Sequence, residues 1–193
     1  MKIDKFDIKI FNSVYPPSED TYLLYDNIET KASKAVEACC GTGIITLKIA
    51  DKGAYVISTD INLQACLNTV ANAKANNLFD KIDVICTDLL LALRKGAKID
   101  LIACNPPYLP CEPKDLEDLA VCGGKEGYET ALRLIHMYHE LFQGKCTLYL
   151  VVSSRTNLNK ILAELKKLKL NIRIIAKKDL QFFETLYLLR IQS

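Results

Sequence analysis

The 193-residue chain has no apolar run that reaches the roughly 18 residues a membrane-spanning helix requires, although half of its residues are hydrophobic. Its first residues, Met1-Lys2-Ile3-Asp4-Lys5-Phe6-Asp7, alternate charged and apolar side chains. Neither a signal peptide nor a membrane anchor is therefore expected, which predicts a cytoplasmic protein. No Cys-x-x-Cys pair occurs among the eight cysteines, and the only two histidines, His136 and His139, lack a third ligand at matching spacing. An intrinsic metal site is not expected. Most cysteines sit in apolar, strand-like runs, two of which end at Cys86 and Cys104, and this predicts buried free thiols rather than a disulfide framework. Internal repeats and low-complexity segments are missing too. The net charge of +2 is too small to imply a polyanion partner by itself.

What is present fits one domain over residues 1–193. From residue 34 onward, short runs rich in Val and Ile (34–39, 55–59, 82–86, 99–104 and 146–152) alternate with segments of helical period. Helices are predicted over Ile44–Lys52, over a second segment from Leu63 to Asn76, over 126–142, and along the stripe Leu158, Ile161, Leu162, Leu165 and Leu168. That alternation predicts an α/β fold, a mostly parallel sheet with helices on both faces. Ile172–Ala176 and Thr185–Ile191 break it, because the short polar turn region between them leaves no room for a crossover helix and forces an antiparallel hairpin. The first 30 residues form an extension whose segment Pro17–Glu29 reads as a helix, with Ser18-Glu19-Asp20 in its first turn. Basic residues crowd the C-terminal part, from Lys160 to Lys178, and acidic ones crowd Glu112 to Glu129.

The strand ending at Ala38 runs into Cys39-Cys40-Gly41-Thr42-Gly43 and then a helix, a glycine-containing turn where open α/β sheets bind nucleotides. It is not the Gly-x-Gly-x-x-Gly of a pyrophosphate site. Glu37, two positions before the turn, favours a sulfonium or ammonium over a phosphate. Asp60, ending the second strand, can accept hydrogen bonds from both hydroxyls of a ribose. Asp88 can accept from an adenine amine while Leu89 covers the ring. Together these residues point to S-adenosyl-L-methionine.

Asn105-Pro106-Pro107-Tyr108 follows the fourth strand and opens an acceptor-site loop region, 105–128. An amide or aniline-like NH2 is a poor nucleophile, since its lone pair is delocalised. If the Asn105 side-chain oxygen and the Pro106 carbonyl each accept one N–H, the nitrogen is drawn toward tetrahedral geometry. The two prolines keep these acceptors aimed, and Tyr108 offers a flat surface to the planar group. No general base is needed before transfer.

These residues resemble the HemK-type N5-glutamine methyltransferases, and more narrowly the eukaryotic and archaeal branch acting on the Gly-Gly-Gln motif of class I release factors. Val14-Tyr15-Pro16-Pro17-Ser18-Glu19-Asp20-Thr21 is similar to that branch's N-terminal signature, which implies a cofactor contact at Thr21. Glu37, Cys39, Gly41, Gly43, Asp60, Asp88 and Leu89 resemble its cofactor motifs, Asn105 to Tyr108 its catalytic and substrate-binding motif, and Gly123-Gly124-Lys125-Glu126-Gly127 a glycine-rich stretch that follows. The resemblance implies a seven-stranded, Rossmann-like class I methyltransferase and a heterodimer with a small zinc-binding activator protein. Cys39 stands where the family has a glycine, and its side chain is expected to crowd the methionine moiety. Two other readings use the same residues: N6-adenine methylation of RNA or DNA, and a non-catalytic module that only binds S-adenosylmethionine. The acidic stretch from Glu112 to Glu129 favours a protein substrate over a phosphate backbone.

Overall fold

The computed structural model describes residues 1–142 and 146–192. The N-terminal extension contains a small antiparallel ribbon, β1 (Lys2–Ile3) and β2 (Phe6–Asp7), then α1 (Glu19–Asn27). The alternation follows as β3 (Lys34–Ala38), α2 (Ile44–Asp51), β4 (Tyr55–Asp60), α3 (Leu63–Ala75), β5 (Ile82–Cys86), β6 (Leu101–Cys104), α4 (Glu129–Phe142), β7 (Thr147–Ser153) and α5 (Leu158–Lys167). The hairpin β8 (Asn171–Asp179) and β9 (Thr185–Gln192) closes the chain.

Seven strands form one sheet in the order β5-β4-β3-β6-β7-β9-β8. β9 alone runs against its neighbours, as a hairpin without a crossover must. Side chains alternate across the sheet: Ala35 and Val56 pack with α1 and α2 on one face, while Val36, Ile102, Leu148 and Leu150 pack with α4 and α5 on the other. The strand order reverses between β3 and β6, so the crevice of an open α/β sheet falls at their carboxyl ends.

Local differences from expectation have local causes. α4 begins at Glu129 rather than 126, because Gly127 is left-handed (φ 83°) and its amide still closes a turn onto Gly124. The thiol expectation fails at Cys111 and Cys122, which are joined in a disulfide, and at Cys86, which ends the edge strand β5 and is exposed. Neither Cys111 nor Cys122 lies in a strand run; bridges between Leu109 and Cys122 and between Cys111 and Gly124 lay their two loop segments side by side.

The extension is held by a device that hydrophobic patterning does not reveal. Asn68, Asn72 and Asn76, one turn apart on α3 and its end, accept from the backbone amides of Phe11, Lys9 and Asp7 at 2.7–2.9 Å. Their amide groups donate back to Lys9 and Asp7. Four helical residues advance about 6 Å and two extended residues about 6.6 Å, so the asparagine ladder stands in for a neighbouring strand. Asn72 is fully buried and also donates to the Thr42 carbonyl at 2.9 Å. Asn72→Ala should cost about 2–4 kcal/mol, since several buried backbone groups lose partners, against about 1 kcal/mol for the half-buried Asn76→Ala. Urea denaturation of both variants measures this, and equal losses would contradict the ladder.

Candidate functional site

A cavity of about 390 Å³ opens at the carboxyl ends of β3, β4 and β6. Thr21, Glu37, Cys39, Gly41, Asp60, Asp88, Leu89 and the whole tetrapeptide Asn105 to Tyr108 line it. Gly43, expected among the cofactor contacts, does not. It caps α2 with φ 78°, and a Cβ there would lie 2.7 Å from Thr69 Cγ2, so its role is close packing of the turn against α3.

The carboxylates are held in distinct ways. Asp60 Oδ2 accepts the Gly41 amide at 3.0 Å and Oδ1 accepts the Asn62 amide at 2.9 Å, which fixes the side chain at the turn. Asp88 pairs through Oδ2 with Arg133 of α4, leaving its other oxygen unengaged. Glu37 is buried and commits Oε2 to the Thr46 amide at 2.7 Å and to the Thr46 hydroxyl. It therefore caps the first turn of α2 as well as facing the cavity, a role the sequence did not suggest. Burial pushes its pKa up to about 8, against the lowering effect of these hydrogen bonds.

On the acceptor side, the Asn105 Oδ1 atom is buried and has no hydrogen-bond partner. Tyr108 donates its hydroxyl to Asp20 Oδ2 at 3.1 Å, and Tyr15 donates to the same atom at 3.2 Å. Asp20 is itself buried and also receives the Thr21 amide at 2.6 Å. Burial, and then the Asp20 charge, raise the Tyr108 pKa far above its ordinary value, so the phenol stays protonated. The same causes in the same order push Tyr15 up to about 12. The glycine-rich stretch presses on this loop from behind. A Cβ on Gly123 would lie 2.5 Å from the Pro107 carbonyl oxygen, and one on Gly127 would lie 2.4 Å from that of Tyr108.

The Methyltransferase small domain family matches residues 17–180. A putative protein N5-glutamine methyltransferase of Methanocaldococcus jannaschii is 32% identical over 190 residues, covering 95% of this chain and 94% of its own. The human methyltransferase HEMK2 is 32% identical over 171 residues, covering 81% and 79%. The chain belongs to the HemK-type N5-glutamine methyltransferase family. Among solved structures, the Mtq2–Trm112 complex of E. cuniculi, described as responsible for methylating the eRF1 translation termination factor, superposes with a TM-score of 0.74 at 26% identity, covering 94% of this chain and 99% of that one. The N-terminal domain of human METTL16 in complex with SAH shares the fold, with a TM-score of 0.66 at 18% identity over 96% of this chain and 75% of that one.

Within this HemK-type fold, Cys39 adopts the left-handed backbone (φ 58°) that a glycine would take without strain, at a cost of roughly 1–2 kcal/mol for a residue with a Cβ. The neighbouring Cys104 thiol, and then burial, raise its pKa well above the usual range and keep it neutral. The residue packs against the core on the α4 face and also lines the cavity. Asp20, Tyr15, Arg133, Glu129 and Glu184 also line the cavity and were not singled out as site residues in the sequence. Asp20 lies within the N-terminal signature but reads there as an ordinary first-turn acid. Arg133 and Glu184 arrive from distant elements and leave no local mark.

Glu37 makes stability depend on pH. Its folded-state pKa lies above the unfolded one, so its ionisation opposes folding, and stability present below the ordinary carboxylate range is lost as pH rises toward about 8. Glu37→Gln can still accept the Thr46 amide. Wild type should therefore lose stability relative to this variant between the ordinary value of 4.5 and about 8; parallel urea midpoints across that range would rule the effect out.

Proposed function

We propose that this cavity binds S-adenosylmethionine and that the chain methylates N5 of the glutamine in the Gly-Gly-Gln motif of a class I release factor. One observation carries the reading: Asn105, whose side-chain oxygen is buried without a hydrogen-bond partner, lines the same cavity as the carboxylates of three successive strand ends. The donor set fits the cofactor. Asp60 presents a fixed carboxylate at the cavity for the ribose hydroxyls, Asp88 has one oxygen left for the adenine amine, and buried Leu89 supplies the apolar cover. Thr21 and Glu37 serve the methionine end, where Glu37 suits its ammonium group.

When bound, S-adenosylmethionine supplies an already activated methyl group. Asn105 Oδ1 and the Pro106 carbonyl accept the two N–H groups of the substrate amide, which localises the nitrogen lone pair and places negative dipoles against the charge that develops. Pro107 stiffens the loop, and the Tyr108 ring, fixed by its hydroxyl on Asp20, lies flat against the amide. The proton leaves after transfer.

The relatives' names support the glutamine, and the Mtq2–Trm112 complex supports a small partner subunit. By the family resemblance that partner is a zinc-binding activator. Of the two open sheet edges, β8 carries Arg173, Lys177 and Lys178, whereas β5 carries one charge, Asp83. Charged edges resist pairing, so β5 is the edge for the activator. Exposed Ile61, Leu63, Leu67, Phe79 and Leu91 on that side supply apolar area for it to cover. No helix of the described residues is long and apolar enough to cross a membrane, which accords with action on a cytoplasmic translation factor.

Incubation with labelled S-adenosylmethionine, a release factor and, separately, RNA or DNA tests the reading. Label is expected in the release factor, and label confined to nucleic acid would replace this reading with adenine methylation. Asn105→Ala should leave cofactor affinity within about threefold, as expected for a group that acts on the acceptor, and reduce transfer below detection. A matching loss of cofactor binding in calorimetry would refute the role given to Asn105.

A further inference from the structure

The turn joining β8 to β9 lies on the catalytic edge of the sheet. Ser153, at the end of β7, pairs with Leu186 near the start of β9, so the chain enters β9 beside the strand ends that carry the cavity. Glu184 lines that cavity. The two residues before it, Phe182 and Phe183, project into solvent, Phe182 at 83% exposure and Phe183 entirely. The next most exposed aromatic side chain among the described residues, Phe79, reaches only 41%. The sequence had suggested a merely polar connection here.

Both phenylalanines adopt left-handed backbone, each with φ 60°, a region that bulky residues rarely occupy. The conformation is imposed from outside the pair. Leu180 donates its amide to the Glu184 carbonyl at 2.7 Å, and Thr185 donates its hydroxyl to Asp179 at 2.8 Å and its amide to Ser154 Oγ at 2.8 Å. The Glu184 carboxylate accepts from the Ser153 hydroxyl at 2.6 Å and pairs with Arg155 at 2.7 Å. A connection that only had to turn would carry glycine or asparagine at such positions. Rigid, preorganised aromatic side chains lose little entropy on binding and are typical anchors of protein interfaces.

Position and composition identify the occupant. Asp179 and Glu184 flank the rings, but Glu184 is paired with Arg155, Lys178 with Glu19, and Lys177 is exposed beside them, so neither sign of charge dominates. Exposed aromatic area without a basic excess suits a protein surface better than a phosphate backbone, whose binding relies on Lys and Arg. Its continuity with the cavity through Glu184 separates it from the β5 edge, on the far side of the sheet. We propose that Phe182 and Phe183 are the docking anchor for the substrate protein, gripping its surface beside the loop that delivers the glutamine. The inference rests on the release-factor reading above.

The test uses the full chain, purified with any subunit that accompanies it, as wild type and as F182A/F183A. Both rings lie outside the core, so the thermal midpoint serves as a check of folding. The variant should show a KM for the release factor raised at least about tenfold, as loss of an aromatic hot spot produces, with kcat and the Kd for S-adenosylmethionine within about twofold. Equal KM values for a release factor that wild type does methylate would overturn the docking proposal alone. A release factor left unlabelled by wild type would remove the functional reading and this proposal with it. If the variant instead loses affinity for single-stranded RNA while KM stays fixed, the turn belongs to nucleic acid and the proposal is wrong.

Discussion

The Asn105 carboxamide oxygen is buried with nothing in the protein to bond to it, an arrangement that costs the fold about 1–3 kcal/mol. Much of the surrounding structure serves to hold Asn105 at the wall of the cavity. β6 is central in the sheet and delivers the residue at a strand end. Pro106 and Pro107 limit backbone rotation directly after it, and Gly123 and Gly127 let a second loop close against the Pro107 and Tyr108 carbonyls without clash. An acceptor left to relax would find a partner within the protein. In the proposed reaction the substrate amide supplies that partner.

The N-terminal extension joins the two halves of the site. Its chain is fastened along α3 by the asparagine ladder and then delivers Tyr15, Asp20 and Thr21 to the cavity. Asp20 ties Thr21 to Tyr108 through hydrogen bonds to a single carboxylate. Anything that loosens residues 7–11 from α3 is thus transmitted to the Tyr108 ring. The disulfide between Cys111 and Cys122 further limits the loop that follows Tyr108.

Much of this was legible in the sequence because strand-end residues report on topology. Once β3, β4 and β6 are placed in parallel, Glu37, Asp60 and Asn105 must meet at one edge, and the antiparallel hairpin follows from the shortness of its connection. The features without a sequence signal depend on contacts between distant segments. The Asp88 pair with Arg133 and the approach of Glu184 need tertiary coordinates. So does the cap that Glu37 provides to Thr46, and so does the exposure of Phe182 and Phe183, since apolar residues in a turn ordinarily read as buried. Gly43 lies outside the cavity lining for a related reason: glycine signals close approach, but not whether a ligand or a neighbouring helix does the approaching.

The most direct measurement is a crystal structure of the chain with S-adenosylhomocysteine and a glutamine-bearing peptide. The amide nitrogen is expected at hydrogen-bonding distance, about 3 Å, from both Asn105 Oδ1 and the Pro106 carbonyl oxygen, with the cofactor sulfur facing it. A sulfur lodged away from Asn105, or an amide held elsewhere in the cavity, would overturn the role proposed for Asn105.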